Sequence, residues 1–213
     1  STIHGSCSRP VPIVSVKTVL LTGASGFVGS NLCRRLLQDG HDVHVILRAD
    51  RANWRIADIV DDLHIHELDL ADRDCLVQTV GNTRPDWVFH LAAYGAYSWQ
   101  ESLDQLLQVN VFGTIGLVTA CLKVDTEVVV NTGSSSEYGF KSGPSREGDM
   151  LDPSSYYAVT KASATLFCRQ AARAAGRRIP TVRLFSVYGP YEEPRKFVST
   201  LVVHGLRGGL PVL

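Results

Sequence analysis

The chain has 213 residues, of which 45% are hydrophobic, enough to bury the core of one domain or one and a half. Basic and acidic residues number 21 each, so no overall charge favours binding to nucleic acid or to an anionic membrane surface. Five scattered cysteines form no CxxC or Cys/His cluster, so we expect neither a disulfide framework nor a metal site. Unpaired cysteines fit a reducing compartment, and we therefore expect a cytoplasmic location. No apolar run approaches the ~20 residues of a membrane span. Residues 1–16 lack the apolar stretch of a signal peptide and are predicted to be a loose arm.

From residue 17 onward, the predicted elements alternate between strands and helices. A β-branched run at 17–22 ends in a glycine-rich turn, and apolar residues at helical spacing follow over 27–38. Further strands are predicted at 42–47, 63–68, 87–91, 127–132 and 180–185, and further helices at about 73–80, 100–122, 155–175 and 197–206. This alternation, with strands rich in Val, Ile and Leu, indicates an α/β fold with a doubly wound, Rossmann-like parallel sheet.

The turn after the first strand, TGASGFVG, places glycines three residues apart at its start, centre and end. Glycine permits a left-handed turn and close approach of backbone N–H groups to a pyrophosphate, and the helix N-terminus favours negative charge. The alternative is a turn that needs glycine only for its shape. The preceding strand, the following helix and the position of the turn in the first strand–helix unit all favour dinucleotide binding. The residues predicted to bind a dinucleotide here are Gly23, Ser25, Gly26, Phe27, Val28 and Gly29.

Two later segments follow predicted strands at the sheet edge where doubly wound folds bind ligands. Asp69 is placed to accept a hydrogen bond from an adenine amino group, or alternatively to cap the helix that begins near Asp72. The small residues after the fourth strand suit close packing against a ribose or pyrophosphate, although they also suit ordinary helix contacts. The coenzyme candidates in these segments are Asp69, Leu70, Leu91, Ala92 and Ala93.

The end of the second strand bears on the choice of coenzyme. Arg48 and Arg51 favour NADP(H) over NAD(H), because an arginine accommodates a ribose 2′-phosphate. Asp50 lies between them and leaves NAD(H) open, since an acidic side chain bonds the free 2′-hydroxyl. A solvated charged loop is the remaining alternative.

Tyr157 and Lys161 are four residues apart at the start of a predicted helix and so project from one face. Tyrosine titrates near 10, and a neighbouring ammonium group together with an oxidised nicotinamide would stabilise its phenolate. Such pairs also occur by chance on helix surfaces. The fifth strand, however, ends in TGSSSEYG, where Ser134 is placed to bond the same substrate oxygen as Tyr157.

Together these segments resemble the extended short-chain dehydrogenases/reductases, a group of nucleotide-sugar epimerases, dehydratases and reductases. TGASGFVG, LDLAD, VFHLAA, NVFGT, GSSSEYG, YAVTK and VRLFSVYGP occur in the family's order, from about residue 17 to the end. The resemblance implies that Tyr157 is the acid/base, that Lys161 binds the nicotinamide ribose and tunes Tyr157, and that Ser134 orients the sugar oxygen. The residues that it suggests for substrate binding are Ser135, Ser136, Asn110, Ser186, Tyr188 and Arg195, with helix packing as the alternative for Asn110.

Departures from the family pattern bear on the reaction. Family dehydratases carry an acidic pair just after the catalytic Ser/Thr, and this chain has Ser135 and Ser136 there, with Glu137 next. Dehydration is disfavoured unless Glu137 shifts into the acidic role. We therefore expect hydride transfer at C4 of a nucleotide-linked hexose, in the order 4-keto-6-deoxy sugar reductase, 4-epimerase, 4,6-dehydratase. A non-catalytic dinucleotide sensor on the same fold is the alternative of another class.

The predicted organisation is a dinucleotide-binding domain at 17–187, followed by the start of a substrate-binding region at 188–213. Relatives usually continue further, so we expect this region to be truncated. The resemblance also implies a homodimer formed through the helices predicted at 100–122 and 155–175.

Overall fold

The computed structural model of the protein describes residues 15–49, 53–97 and 99–209. The predicted arm at 1–16 therefore lies almost entirely outside the described residues, as do Asp50 and Arg51. The strands are β1 (Thr18–Thr22), β2 (Asp42–Leu47), β3 (His64–Glu67), β4 (Trp87–His90), β5 (Val128–Ser134) and β6 (Thr181–Leu184). The α-helices are α1 (Phe27–Gln38), α2 (Arg73–Thr83), α3 (Leu103–Leu106), α4 (Thr114–Cys121), α5 (Tyr156–Ala175) and α6 (Phe197–Leu206).

The strands form one parallel sheet in the order β3-β2-β1-β4-β5-β6. The observed strand and helix bounds lie within three residues of the predicted ones, and the prediction of a doubly wound parallel sheet is confirmed. Strands β2 and β3 lie on one side of β1, and β4, β5 and β6 lie on the other, so the strand order reverses between β1 and β4. A crevice at the carboxyl ends of these two strands is where such folds bind their ligands.

Alternating side chains of the central strands feed two separate cores. Leu20 and Val88 face α2, α4 and α5, where they pack with Leu117 in the larger cluster. Val19 and Leu21 point to the opposite face and pack with residues of α1. Because both faces of β1 are buried, its run of apolar residues is continuous, as expected for a strand inside a parallel sheet.

The helix predicted at 100–122 is observed as a composite of three segments. It begins after Ser102, whose hydroxyl caps α3 by accepting from the Gln105 amide. Residues Leu107–Gly113 then form a π-helical segment, which leads directly into α4. The stretch is helical as predicted, but its middle part is π-helical, and π-helical turns are frequent at functional sites.

None of the helices in the described part of the chain combines the length and the apolar character that a membrane span requires. The described cysteines, which are Cys33, Cys75, Cys121 and Cys168, are free thiols.

Candidate functional site

The glycine turn between β1 and α1 brings three backbone segments into contact. Gly23 has φ +77°, and a Cβ atom there would lie 2.6 Å from the Ala92 nitrogen, so only glycine fits. A Cβ at Gly29 would lie 2.2 Å from the Gly23 carbonyl oxygen, so α1 can begin close to β1 only without it. Gly26 is the N-cap of α1, and no side chain caps that end. The first amides of the helix are therefore available to an anionic group.

Two cavities meet at this turn and together form one cleft along the carboxyl edge of the sheet. The first, of about 200 Å³, lies towards β2 and β3, and the second, of about 660 Å³, lies towards β5 and α5. Both are lined by Gly23, Gly26, Leu91 and Ala93. The cleft has room for a ligand that runs from one side of the glycine turn to the other.

Most predicted site residues line this cleft. On the side of β2 and β3 these are Ser25, Arg48, Asp69, Leu70 and Ala92. On the side of β5 and α5 they are Phe27, Val28, Gly29, Ser134, Ser135, Tyr157, Lys161, Ser186 and Tyr188. The alternative that Asp69 caps α2 is wrong, because the cap is Asp72, which accepts from the Cys75 amide at 3.0 Å.

The start of α5 presents Tyr157 and Lys161 to the larger cavity. Ser155 caps the helix by accepting from the Ala158 amide at 3.1 Å, so Tyr157 lies in the first turn and Lys161 one turn later. Ser134, at the end of β5, lines the same cavity as Tyr157, and its hydroxyl lies 2.8 Å from the Ser136 hydroxyl. The structure thus brings the three predicted catalytic side chains to one wall of the cleft.

Burial shifts the pKa of both ionisable groups in this trio. It raises the pKa of Tyr157 above its usual 10. The neighbouring Ser134 hydroxyl acts against the rise in this pKa, and the charge of Glu137 adds to it. Burial lowers the pKa of Lys161 to about 8, against opposing effects of Glu137 and Cys168. At neutral pH Tyr157 is therefore a phenol that can donate a proton, and Lys161 remains mostly charged.

Glu137 does not take the acidic role that the sequence left open. Its side chain is fully buried, with one carboxylate oxygen accepting from the Ser134 amide at 2.8 Å. The other accepts from Arg183 Nε at 2.8 Å, and Arg183 also donates to the Tyr138 hydroxyl. Glu137 therefore shapes the loop behind Ser134 and does not face the cleft.

Asn110 is also engaged away from the cleft. Its amide oxygen accepts from the Tyr94 amide at 2.8 Å, and its nitrogen donates to the Tyr94 carbonyl and to the Thr160 hydroxyl. The side chain is 1% exposed and lines neither cavity. Its assignment to substrate binding is therefore replaced by the packing alternative, since its polar atoms already have partners.

Two other predicted substrate contacts lie off the cleft walls. The Ser136 hydroxyl bonds Ser134, and the largely exposed Arg195 lies over the ring of Trp99. The neighbouring Lys196 does line the larger cavity, and Arg55 lines the smaller one. Sequence reasoning missed Arg55, which donates to the Tyr191 carbonyl, 136 residues later in the chain. Nothing local marks such a contact.

Comparison with known proteins places these observations in a family. Residues 19–213 match the family described as the NAD dependent epimerase/dehydratase family. A UDP-glucose 4-epimerase of Mycolicibacterium smegmatis is 33% identical over 183 residues, which cover 82% of this chain and 58% of that protein. A dTDP-glucose 4,6-dehydratase of Neisseria meningitidis is 25% identical, with 92% and 61% covered.

Solved structures give the same picture. UDP-glucuronic acid 4-epimerase from Bacillus cereus in complex with NAD superposes with a TM-score of 0.77 at 28% identity, covering 90% of this chain and 63% of that one. UDP-N-acetylglucosamine 4-epimerase from Methanobrevibacter ruminantium superposes with a TM-score of 0.80 at 28% identity, covering 94% and 66%. The chain thus spans less than two thirds of the length of these relatives.

Proposed function

Since this chain belongs to the NAD dependent epimerase/dehydratase family, we propose that it transfers hydride between a nicotinamide coenzyme and C4 of a nucleotide-linked hexose. The observation that carries the proposal is the convergence of Ser134, Tyr157 and Lys161 on the cavity that continues into the glycine turn. A coenzyme with its pyrophosphate at the turn has space to place its nicotinamide beside these side chains.

In this proposal each of the three residues has one task. Tyr157 exchanges a proton with the sugar oxygen while hydride moves between C4 and the nicotinamide. Ser134 bonds the same oxygen and holds it near the phenol. Lys161 binds the nicotinamide ribose from its place one helical turn after Tyr157.

The family contains several reactions that share this step, and the buried Glu137 helps to choose among them. A 4,6-dehydratase needs an acid and a base beside the sugar C5 and C6, whereas here Ser135 lines the cavity and Glu137 is bonded to Arg183. This arrangement disfavours dehydration. Three of the four relatives named above are 4-epimerases, and we therefore place 4-epimerisation first.

Reduction of a 4-keto-6-deoxy sugar nucleotide is the second candidate, and the raised pKa of Tyr157 favours it. A phenol that remains protonated at neutral pH is suited to donate a proton to the oxygen of a ketone as hydride arrives at C4. A reductase consumes its coenzyme stoichiometrically, whereas a 4-epimerase returns the hydride to the sugar. The two reactions therefore differ in a quantity that is simple to measure.

The coenzyme preference is a separate part of the proposal. The solved relatives include enzymes in complex with NAD. Arg48 and Arg55 both line the cavity towards β2, where a ribose 2′-phosphate would lie, and this supports the prediction of NADP(H). Comparison of the affinities for NADPH and NADH, with Arg48→Ala as the variant, tests it. If the prediction is right, Arg48→Ala binds NADPH more weakly than the unaltered chain does and binds NADH equally well.

The first experiment mixes the 213-residue chain with either coenzyme and a panel of UDP- and dTDP-hexoses and their 4-keto forms. Sugar interconversion without net change in nicotinamide absorbance would identify an epimerase, and stoichiometric loss of that absorbance a reductase. Tyr157→Phe should abolish either reaction and retain coenzyme binding. Turnover that is unchanged in Tyr157→Phe would contradict the proposed mechanism, and failure to bind either coenzyme would contradict the proposal as a whole.

We further propose a homodimer through α5 and the composite helix before it. Apolar side chains on these helices are solvent-exposed in the single chain, namely Leu103, Leu107, Phe112, Val159 and Leu166. Such a surface is typical of a subunit interface. Sedimentation of the protein and of Leu166→Glu tests this, since the variant should be monomeric. The domain limits at 17–187 and 188–213 and the cytoplasmic location remain predictions.

A further inference from the structure

A cluster of imidazole and carboxylate groups lies at the opposite end of the sheet from the cleft. Asp42 and His44 are on one face at the start of β2, and His64 lies beside His44 at the start of the edge strand β3. His66, two residues further along β3, is on the same face. The other end of β2 is five residues from Asp42, or about 16 Å at the usual rise per residue, and Arg48 of the cleft follows it.

We propose that Asp42, His44 and His64 form a binding site for a divalent transition metal such as Zn²⁺. The Asp42 carboxylate lies 3.2 Å from His44 Nε2 and 3.0 Å from His64 Nε2, and one ligand atom from each residue lies within 4.8 Å of the other two. Tetrahedral zinc with bonds of about 2.0–2.1 Å sets its ligand atoms roughly 3.3 Å apart. Both distances from Asp42 are close to that spacing, and the two imidazole nitrogens lie within 4.8 Å of each other, which leaves one coordination position for water.

His66 gives the site a supporting hydrogen bond. Its Nε2 lies 3.0 Å from His44 Nδ1, so a proton on His44 Nδ1 is shared with His66 and the His44 Nε2 lone pair is directed to the metal. The ring of His44 is also nearly parallel to those of His64 and His66, with centroids 4.5 Å and 5.2 Å away. These contacts hold the central ligand in one orientation before a metal arrives.

Solvent access to the site is open on the side of the edge strand. The His44 side chain is 17% exposed, Asp42 is 42% exposed and His64 is 63% exposed. A metal can therefore enter without unfolding, with His44 as the fixed ligand and His64 as the adjustable one. Two imidazoles and one carboxylate suit zinc, nickel or copper, whereas Mg²⁺ prefers oxygen ligands. A bound metal would tie the edge strand, which leads to Asp69, to β2.

The prediction of no metal site from the sequence considered only cysteine patterns. The relevant signal is the pair of alternating segments DVH at 42–44 and HIH at 64–66. Alternation places the outer residues of each segment on one face of its strand. The register that sets His64 beside His44 is supplied only by the fold.

Isothermal titration of the untagged, chelator-treated 213-residue chain with Zn²⁺ tests the proposal, and the absorption spectrum of bound Co²⁺ reports the ligand geometry. We expect one Zn²⁺ per chain, a higher melting temperature with zinc, and no response to Mg²⁺. Asp42→Asn and His64→Gln should each weaken zinc binding by more than 10-fold and remove the thermal shift. His66→Leu should weaken binding about 10-fold, and His66→Gln, which keeps an acceptor, should recover part of it.

His204→Gln, on α6, is the matched control and should bind zinc as the unaltered chain does. Because His64 is mostly exposed, its variant should remain folded even if a His44 variant does not, and circular dichroism checks this. Absence of zinc binding at one per chain would overturn the proposal. The proposal would also be overturned if Asp42→Asn and His64→Gln both bound zinc as strongly as the unaltered chain, because the metal would then lie elsewhere.

Discussion

Replacing Lys161 by methionine should make the protein more stable at neutral pH. The ammonium group is 3% exposed, and its pKa falls from the ordinary 10.5 to about 8 because the charge is buried. Each unit of pKa corresponds to about 1.4 kcal/mol, so carrying this charge costs the folded state about 3 kcal/mol at pH 7. Methionine has a similar length and no charge, so Lys161→Met should raise the free energy of unfolding by about that amount.

The pH dependence gives this prediction a second test. Between pH 8 and 10.5 the unfolded lysine binds more protons than the folded one, so the stability of the unaltered chain rises with pH in that window. The advantage of Lys161→Met should be complete below pH 8 and should vanish above 10.5. Urea denaturation at pH 7, 9 and 10.5 measures it, with the exposed Lys123→Met as control. Equal stabilities at pH 7, or a difference independent of pH, would refute the reasoning.

Three further predictions concern buried polar groups and the glycine turn. Burial lowers the pKa of His90 to about 3, so the folded state loses stability as the pH falls below 6.5, by about 3 kcal/mol at pH 4.5. His90→Gln should remove this loss, which urea denaturation at several pH values would measure. Gly23→Ala should cost on the order of 1–3 kcal/mol and abolish coenzyme binding, as melting and fluorescence titration would show. Arg183→Met leaves Glu137 buried without its charged partner and should cost about 3–5 kcal/mol in denaturation, whereas a loss below about 1 kcal/mol would mean that the pair contributes little.

The parts of the site that could be predicted from sequence are those encoded by neighbouring residues. The turn from Gly23 to Gly29 follows from a β-branched run, three spaced glycines and a helical pattern within about twenty residues. The spacing of Tyr157 and Lys161 follows from the helix alone. Both features depend only on local geometry. They meet at one edge of the sheet because the carboxyl ends of parallel strands lie at the same edge.

The parts that could not be predicted depend on which strands are neighbours and in what register. The pairing of Glu137 with Arg183 joins residues 46 apart, and it exists because Gly133 of β5 lies beside Arg183 of β6. Glu137 therefore looks available in the sequence and is fully buried in the structure. Asn110 was misassigned for a similar reason, since its partner Tyr94 lies in an irregular loop.

A chain of buried hydrogen bonds connects the glycine turn with α5 and fixes the distance between them. Thr22, at the glycine turn, bonds His90 at 2.7 Å, and the other ring nitrogen of His90 bonds Thr114 at 2.9 Å. Thr114 donates to the Asn110 carbonyl, and the Asn110 amide donates to Thr160 in the first turns of α5. Since each of these side chains is at most 2% exposed, breaking one bond would leave a polar group buried without a partner, at a cost of about 1–3 kcal/mol. The glycine turn and the helix that carries the proposed acid/base are thus coupled through buried hydrogen bonds, and the π-helical segment sets Asn110 between them.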